Sequence, residues 1–243
     1  MAAFPLIEAQ EGLWIAQALD PRNPVLNTGQ YLDLRGPLDL EAFQQAVTEA
    51  VAQAPALRLR FALRDGRPEQ WLHPTPPAAE LLDLSSDPDP EATAHAIMAQ
   101  DSATPLDLAR DPLARFVLLR LSEGRAFWYQ RIHHLATDGF GIVLLTNRVG
   151  EIYSALCQGH PPPPPFPPLD QVLAEDAAYR ASDRRTTDAA FWREDLRGLD
   201  HVASPARGRA VSAHRFDRAR CDLPPATRDL LLVRAKEMGV GWP

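Results

Sequence analysis

An aromatic-rich, strand-like run, Ala126–Ile132, passes straight into two histidines and then almost at once into a helix-like run, Phe140–Leu156. The join is RIHHLATDGFG, residues 131–141, and it forces a tight strand-to-helix corner. Side chains on an extended segment alternate between faces, so His133 and His134 cannot both look into one cleft. One imidazole is available for chemistry and the other packs behind it. A histidine, a carboxylate at Asp138 and a glycine at Gly139, where the chain must turn, together present a single imidazole to a substrate.

The rest of the chain is compatible with such a site. Its 243 residues permit one large domain or two moderate ones with a real core. Apolar residues make up 45% and charged residues 23%, ordinary values for a soluble globular protein. The formal charge is −7 with acids and bases mixed, and no basic patch carries interleaved aromatics, which argues against nucleic acid as a partner. The densest basic run, Arg180 to Arg193, alternates with acids and reads as a solvated helix face. The first residues lack a basic leader, and no apolar run approaches the ~20 residues of a membrane span. Cys157 and Cys221 read as buried thiols in a reducing compartment, so the expectation is a cytoplasmic protein without membrane contact.

Periodicity predicts helices over Ile7–Leu19, with Leu6, Leu13, Trp14 and Ala18 on the buried face, and from an Asp39 N-cap to Gln53, with Phe43, Val47, Ala50 and Val51 inward. Further helices are expected over Asp89–Gln100, Phe140–Leu156, Leu169–Ala181, Thr187–Leu199 and from Pro225. Strands are expected at Gly29–Leu34, at Leu57–Leu63 and Glu69–His73 across an Asp65-Gly66 hairpin, at Leu113–Leu121 and Arg125–Ile132 across Glu123-Gly124, and around Val211–Leu223. Pro74–Pro77 reads as a crossing, and Pro161–Pro165 as a stiff polyproline II spacer. The last helix stops abruptly at GVGWP, which reads as a boundary inside a larger protein. Strands mixed with long helices point to an α/β (α+β) two-layer sandwich.

Other chemistries fit the corner less well. Metal sites need ligands converging on one face, whereas adjacent strand histidines diverge, so no metal is expected. Gly139-Phe140-Gly141 lacks the third glycine of a dinucleotide loop, no GxSxG elbow is present, and neither cysteine has an activating context. His134 is therefore the candidate catalytic group and His133 its packed or hydrogen-bonded support. Asp138 has three readings: a base-orienting carboxylate, a helix N-cap, or half of a buried ion pair with Arg58 or Arg60, Arg58 being the principal candidate. Gly139 is expected to serve a close backbone approach or a positive φ.

His133-His134-Leu-Ala-Thr-Asp138-Gly139 resembles the HHxxxDG signature of condensation domains of nonribosomal peptide synthetases. Ala9-Gln10-Glu11-Gly12-Leu13-Trp14 resembles their opening AQxxLW motif, and Leu57-Arg58-Leu59-Arg60-Phe61 is similar to LRTxF, although Gln53-Ala54-Pro55 stands where RHE is usual. Tyr179-Arg180-Ala181-Ser182 and Phe191-Trp192 resemble the segment that follows the histidine motif. HHLxxDGF and the stretch after it look closest to siderophore synthetases.

The resemblance implies a chloramphenicol-acetyltransferase-like fold, with residues 1–170 as the N-terminal lobe and 171–243 as linker helices and the start of a second lobe. It implies amide formation between a donor acyl thioester and an acceptor aminoacyl thioester. Both would ride on phosphopantetheine arms of peptidyl or aryl carrier proteins, as substrate tethers rather than bound cofactors, beside adjacent synthetase modules. His134 would be catalytic, with His133, Asp138 and Gly139 supporting it, and this chain alone would be inactive or nearly so. A coenzyme A- or carrier-dependent acyltransferase and an epimerisation domain are the alternatives; the latter usually continues the motif with Ser-Trp, where this chain has Gly141-Ile142.

Overall fold

The computed structural model describes residues 3–199, 213–214 and 221–241. In chain order the elements are β1 (Phe4–Pro5), α1 (Glu8–Leu19), β2 (Asn27–Arg35), α2 (Leu40–Ala52), β3 (Leu59–Arg64), β4 (Arg67–Leu72), β5 (Ala79–Asp83) and α3 (Pro90–Ser102). They continue with β6 (Ala114–Ser122), β7 (Arg125–His133), α4 (Gly139–Gln158), α5 (Leu169–Arg180), α6 (Asp183–Asp195) and α7 (Pro225–Glu237).

A four-stranded sheet in the order β2-β7-β6-β5 forms the frame. Strand β7 lies inside it, antiparallel to both neighbours, with Asn27 opposite His133 and Ala114 opposite Ile132. Alternation then sorts the side chains. Phe116, Leu118, Trp128 and Ile132 pack with Phe43 and Val47 of α2 and with Ile142, Leu145 and Val149 of α4. Val117, Leu119, Phe127 and Tyr129 face the other way, onto Ala94 and Met98 of α3. Because both faces are covered, β7 is buried along almost its whole length. The apolar run Ala126–Ile132 needs that double cover.

Local chemistry sets the element ends. Asp39 and Asp89 accept hydrogen bonds from Ala42 and Ala92 (3.0 Å each) and start α2 and α3. Asp65 and Gly66, at φ 51° and 76°, make the two-residue turn between β3 and β4, where both central residues need positive φ. These strands and β1 form a separate three-stranded sheet, β1-β4-β3.

Several expectations are corrected. Strand β5 is absent from the elements expected above: it is a five-residue edge strand, AELLD, parallel to β6 through the α3 crossover, too short and too acidic to show a strand pattern. Leu57 and Arg58 belong to a 3-10 turn, Pro55–Arg58, that precedes β3. Helix α6 starts at Asp183 behind a Ser182 cap, four residues before the expected Thr187. Cys157 and Cys221 are exposed rather than buried.

The proline spacer is not a free rod, since Arg148 of α4 stacks on Phe166 (4.6 Å) and donates to the Pro164 carbonyl. Nor is the basic run of α5 and α6 merely solvated: Arg180 binds Glu11 and the Leu6 carbonyl, and Arg185 binds Glu8. The strand expected around Val211–Leu223 falls largely outside the described residues, and the described parts are not strand. No helix among the described residues is long and apolar enough to cross a membrane.

Candidate active site

The corner is held by its own backbone before any side chain acts. The His133 amide donates to the Leu113 carbonyl and the His134 amide to the Leu26 carbonyl, both at 2.8 Å. Just beyond, the Ala136 amide donates back to the His133 carbonyl, closing a turn that lifts the chain off the sheet and into α4.

The two rings diverge. That of His133 is buried at 2% exposure, on the α3 side of the sheet. Its Nδ1 accepts from the Leu135 amide (3.2 Å), so the proton sits on Nε2, which donates to Gln17 Oε1 (3.1 Å). Burial, reinforced by the Arg131 and His134 charges, lowers its pKa from 6.5 to about 4, so it is neutral near pH 7.

His134 is partly exposed. Its Nδ1 lies 3.0 Å from the Thr137 carbonyl oxygen, which can only accept. The neutral ring therefore carries its proton on Nδ1 and presents the Nε2 lone pair, which has no hydrogen-bond partner among the described residues.

Asp138 is exposed and caps α4, accepting from the Gly141 amide at 2.8 Å. The ion pair with Arg58 is not formed: that guanidinium donates to the Pro74 carbonyl at 3.2 Å. Arg60 is buried and turns to the Leu59 carbonyl at 2.9 Å. Of the three readings of Asp138, the structure has the cap. A cap at the start of a helix needs no second charge, because the amides of the first turn supply the donors.

Gly139 also departs from expectation. Its φ is not positive, and a Cβ placed there meets nothing within 4 Å. The sterically demanded glycine is Gly141, where a Cβ would overlap Thr137 Oγ1. Sequence reasoning passes over Gly141 because its demand arises only once the turn has folded.

The roles of three glutamines are missed as well, Gln10 being noted above only as a letter of the opening motif. Gln10 donates to the Leu135 carbonyl (3.0 Å) and accepts from Gln70 (2.8 Å), while Gln17 receives the His133 ring. Gln10 and Gln17 are the buried residues of α1; of the face expected from periodicity, Leu6 is buried and Leu13 and Trp14 are half-buried against the core, while Ala18 is exposed. Their seven-residue spacing is the available signal, masked by the apolar residues beside them. Beside the corner lies an apolar cavity of about 300 Å³, whose lining includes Ile132, Ala136, Thr137, Gly141, Leu145 and Phe166 but not His134 itself.

A family model described as "Condensation domain" matches residues 2–242. The chain belongs to the condensation-domain family. It is 36% identical over 241 residues to a dimodular nonribosomal peptide synthase of Bacillus subtilis (strain 168), covering 98% of this chain and 10% of that protein. Against enterobactin synthase component F of Escherichia coli (strain K12), a siderophore synthetase, identity is 36% over 218 residues, covering 86% and 17%.

Among solved structures, the first condensation domain of the calcium-dependent antibiotic synthetase superposes with a TM-score of 0.85 at 34% identity, covering all of this chain and 58% of that one. The starter condensation domain of rhizomide synthetase gives 0.73 at 35% identity, covering 80% and 48%. The fold is thus the chloramphenicol-acetyltransferase-like fold of condensation domains. This chain spans about half the length of those solved domains and a small fraction of the synthetases.

Proposed function

We propose that this chain carries the histidine-bearing part of a condensation site that joins a donor acyl thioester to the α-amine of an acceptor aminoacyl thioester. Both would be delivered on the phosphopantetheine arms of peptidyl or aryl carrier proteins, within a synthetase that supplies adjacent modules. Residues 1–170 form the histidine-bearing lobe in this reading, and 171–243 the linker helices and first elements of a second lobe. Phe191, Trp192, Leu230 and Val233 are exposed, as suits elements whose partners lie in the part of a condensation domain this chain does not span. The chain by itself is then inactive or nearly so.

One observation carries the proposal: His134 Nδ1 lies 3.0 Å from the Thr137 carbonyl, which can only accept, and Nε2 has no hydrogen-bond partner among the described residues. An α-amine has a reference pKa of about 7.7–8.0, so near neutrality a large share is protonated and unable to attack. Nε2 takes or holds the proton as the amine nitrogen bonds to the thioester carbon. The carbon–sulfur bond then breaks and the departing thiolate is protonated to a thiol. The Thr137 carbonyl, on the opposite ring nitrogen, favours the imidazolium formed in passing. Such general-base assistance contributes typically ~10²–10⁴-fold. Thioesters are already activated, so bringing two tethered reactants together supplies the larger part, up to roughly 7–11 kcal/mol. The apolar cavity beside the corner gives the acyl group a dry wall.

The test loads donor and acceptor carrier proteins and follows amide transfer by the full-length polypeptide that carries this sequence. His134→Ala should remove at least ~10²-fold of the rate while leaving the fold intact. Turnover at the wild-type rate by that variant would remove His134 from the reaction.

A further inference from the structure

Helix α1 is built in a way its packing alone does not require. The two side chains it buries are Gln10 and Gln17, two turns apart on one face, where leucine or methionine would fill the space without polar atoms to satisfy. Each is nevertheless matched to partners distant in sequence. Gln10 Nε2 donates to the Leu135 carbonyl (3.0 Å), and its Oε1 accepts from the Ile7 amide (3.1 Å) and from Gln70 Nε2 (2.8 Å). Gln17 Nε2 donates to the carbonyls of Asp20 (3.0 Å) and Asn23 (3.1 Å), and its Oε1 accepts from His133 Nε2 (3.1 Å).

These contacts bracket His134. Gln17 fixes the His133 ring, and that ring accepts the Leu135 amide, which belongs to the peptide unit directly after His134. Gln10 fixes the next carbonyl along. On the other side the His134 amide is tied to Leu26. The base of the clamp is itself anchored: the Glu8 amide donates to Asp176 of α5 (2.9 Å), and Arg180 bridges Asp176, Glu11 and the Leu6 carbonyl.

We propose that Gln10 and Gln17 are positioning residues of the condensation reaction, a two-point polar clamp from α1 that sets where His134 presents Nε2. Neither touches a substrate. This rests on His134 being the reacting imidazole, as proposed above. A misplacement on the order of 1 Å costs about 10²-fold in rate, which is the size of effect a loosened clamp should give.

The experiment compares Gln10→Met, Gln17→Met, the double variant and His134→Ala in the full-length polypeptide with loaded carrier proteins. Each single Met variant should lower kcat by roughly 10²-fold and leave KM for the acceptor carrier protein within about two-fold, because only the reacting geometry changes. The double variant should be little worse than the worse single one, since the two residues act as a unit. Folded Met variants with wild-type kcat, or with kcat and KM altered together, would overturn the proposal. Should Gln17→Met fail to fold, Gln17→Glu carries the test because it keeps the acceptor facing His133. Retention of at least about a tenth of wild-type kcat then supports the clamp, and a loss as deep as that of His134→Ala overturns it. Wild-type turnover by His134→Ala would instead sink the condensation reading itself, whatever the glutamine variants do.

Discussion

Acidification should destabilise this protein through His133. The ring is 2% exposed, and its pKa in the folded state is about 4 against an ordinary 6.5. The unfolded chain therefore binds a proton at this position that the native state refuses. Stability rises with pH wherever the unfolded state holds more protons, so this contribution is complete above pH 6.5 and is lost as the pH falls towards 4. At 1.36 kcal/mol per pH unit, the loss is roughly 3 kcal/mol by pH 4, a large fraction of a typical domain's 5–15 kcal/mol.

Urea unfolding followed by tryptophan fluorescence at a series of pH values measures it, with His133→Gln as the reference. The introduced glutamine keeps a donor for Gln17 and cannot titrate, and losing the acceptor for the Leu135 amide costs it about 1 kcal/mol at neutral pH. Carboxylates titrate in both proteins, so the difference between the curves isolates the ring. Wild type should fall faster by roughly 3 kcal/mol between pH 7 and 4. Parallel curves would refute the reasoning, showing His133 either accessible to protons or paired with a group that accepts its charge.

Other outcomes follow from the same geometry. Asp138→Ala should cost about 1 kcal/mol as a lost helix cap, and combining it with Arg58→Ala should be additive within about 0.5 kcal/mol; a larger coupling in a double-mutant cycle would restore the ion pair. Gly141→Ala should destabilise by roughly 1–3 kcal/mol through overlap with Thr137, whereas Gly139→Ala, with open space around it, should melt like wild type. Asp101 accepts from Arg131 (2.9 Å), Arg115 (3.1 Å) and Tyr129 (2.9 Å), and Arg131 has only 6% of its side chain exposed. Asp101→Asn should therefore cost about 3–5 kcal/mol in urea unfolding by stranding a buried guanidinium; a loss below about 1 kcal/mol would mean solvent reaches it.

Much of the frame is readable because it rests on local rules. The Asp39 cap, the Asp65-Gly66 turn and the apolar run of β7 each state their structure in a few residues. Strand β5 is not readable, because five residues on a parallel edge take their conformation from β6 rather than from their own pattern. At the site, the divergence of His133 and His134 follows from strand alternation alone. The roles of their neighbours do not.

Pairing Asp138 with a distant arginine presupposes burial, and the residue is exposed. Choosing between Gly139 and Gly141 needs the turn itself, since sequence cannot show which glycine meets Thr137. The glutamines of α1 are invisible to a search for apolar stripes, since their burial depends on a corner more than a hundred residues away.

The proposed reaction requires His134 to offer an unprotonated Nε2, with the Thr137 carbonyl holding the proton on Nδ1. The direct measurement is the ring nitrogen spectrum of the neutral His134 imidazole in ¹⁵N-histidine-labelled protein, assigned by comparison with His134→Ala. A protonated Nδ1 beside an unprotonated Nε2 is the pattern required. The reverse tautomer, with the proton on Nε2, would contradict this reading, because the nitrogen proposed to meet the amine would then be a donor with no lone pair to give.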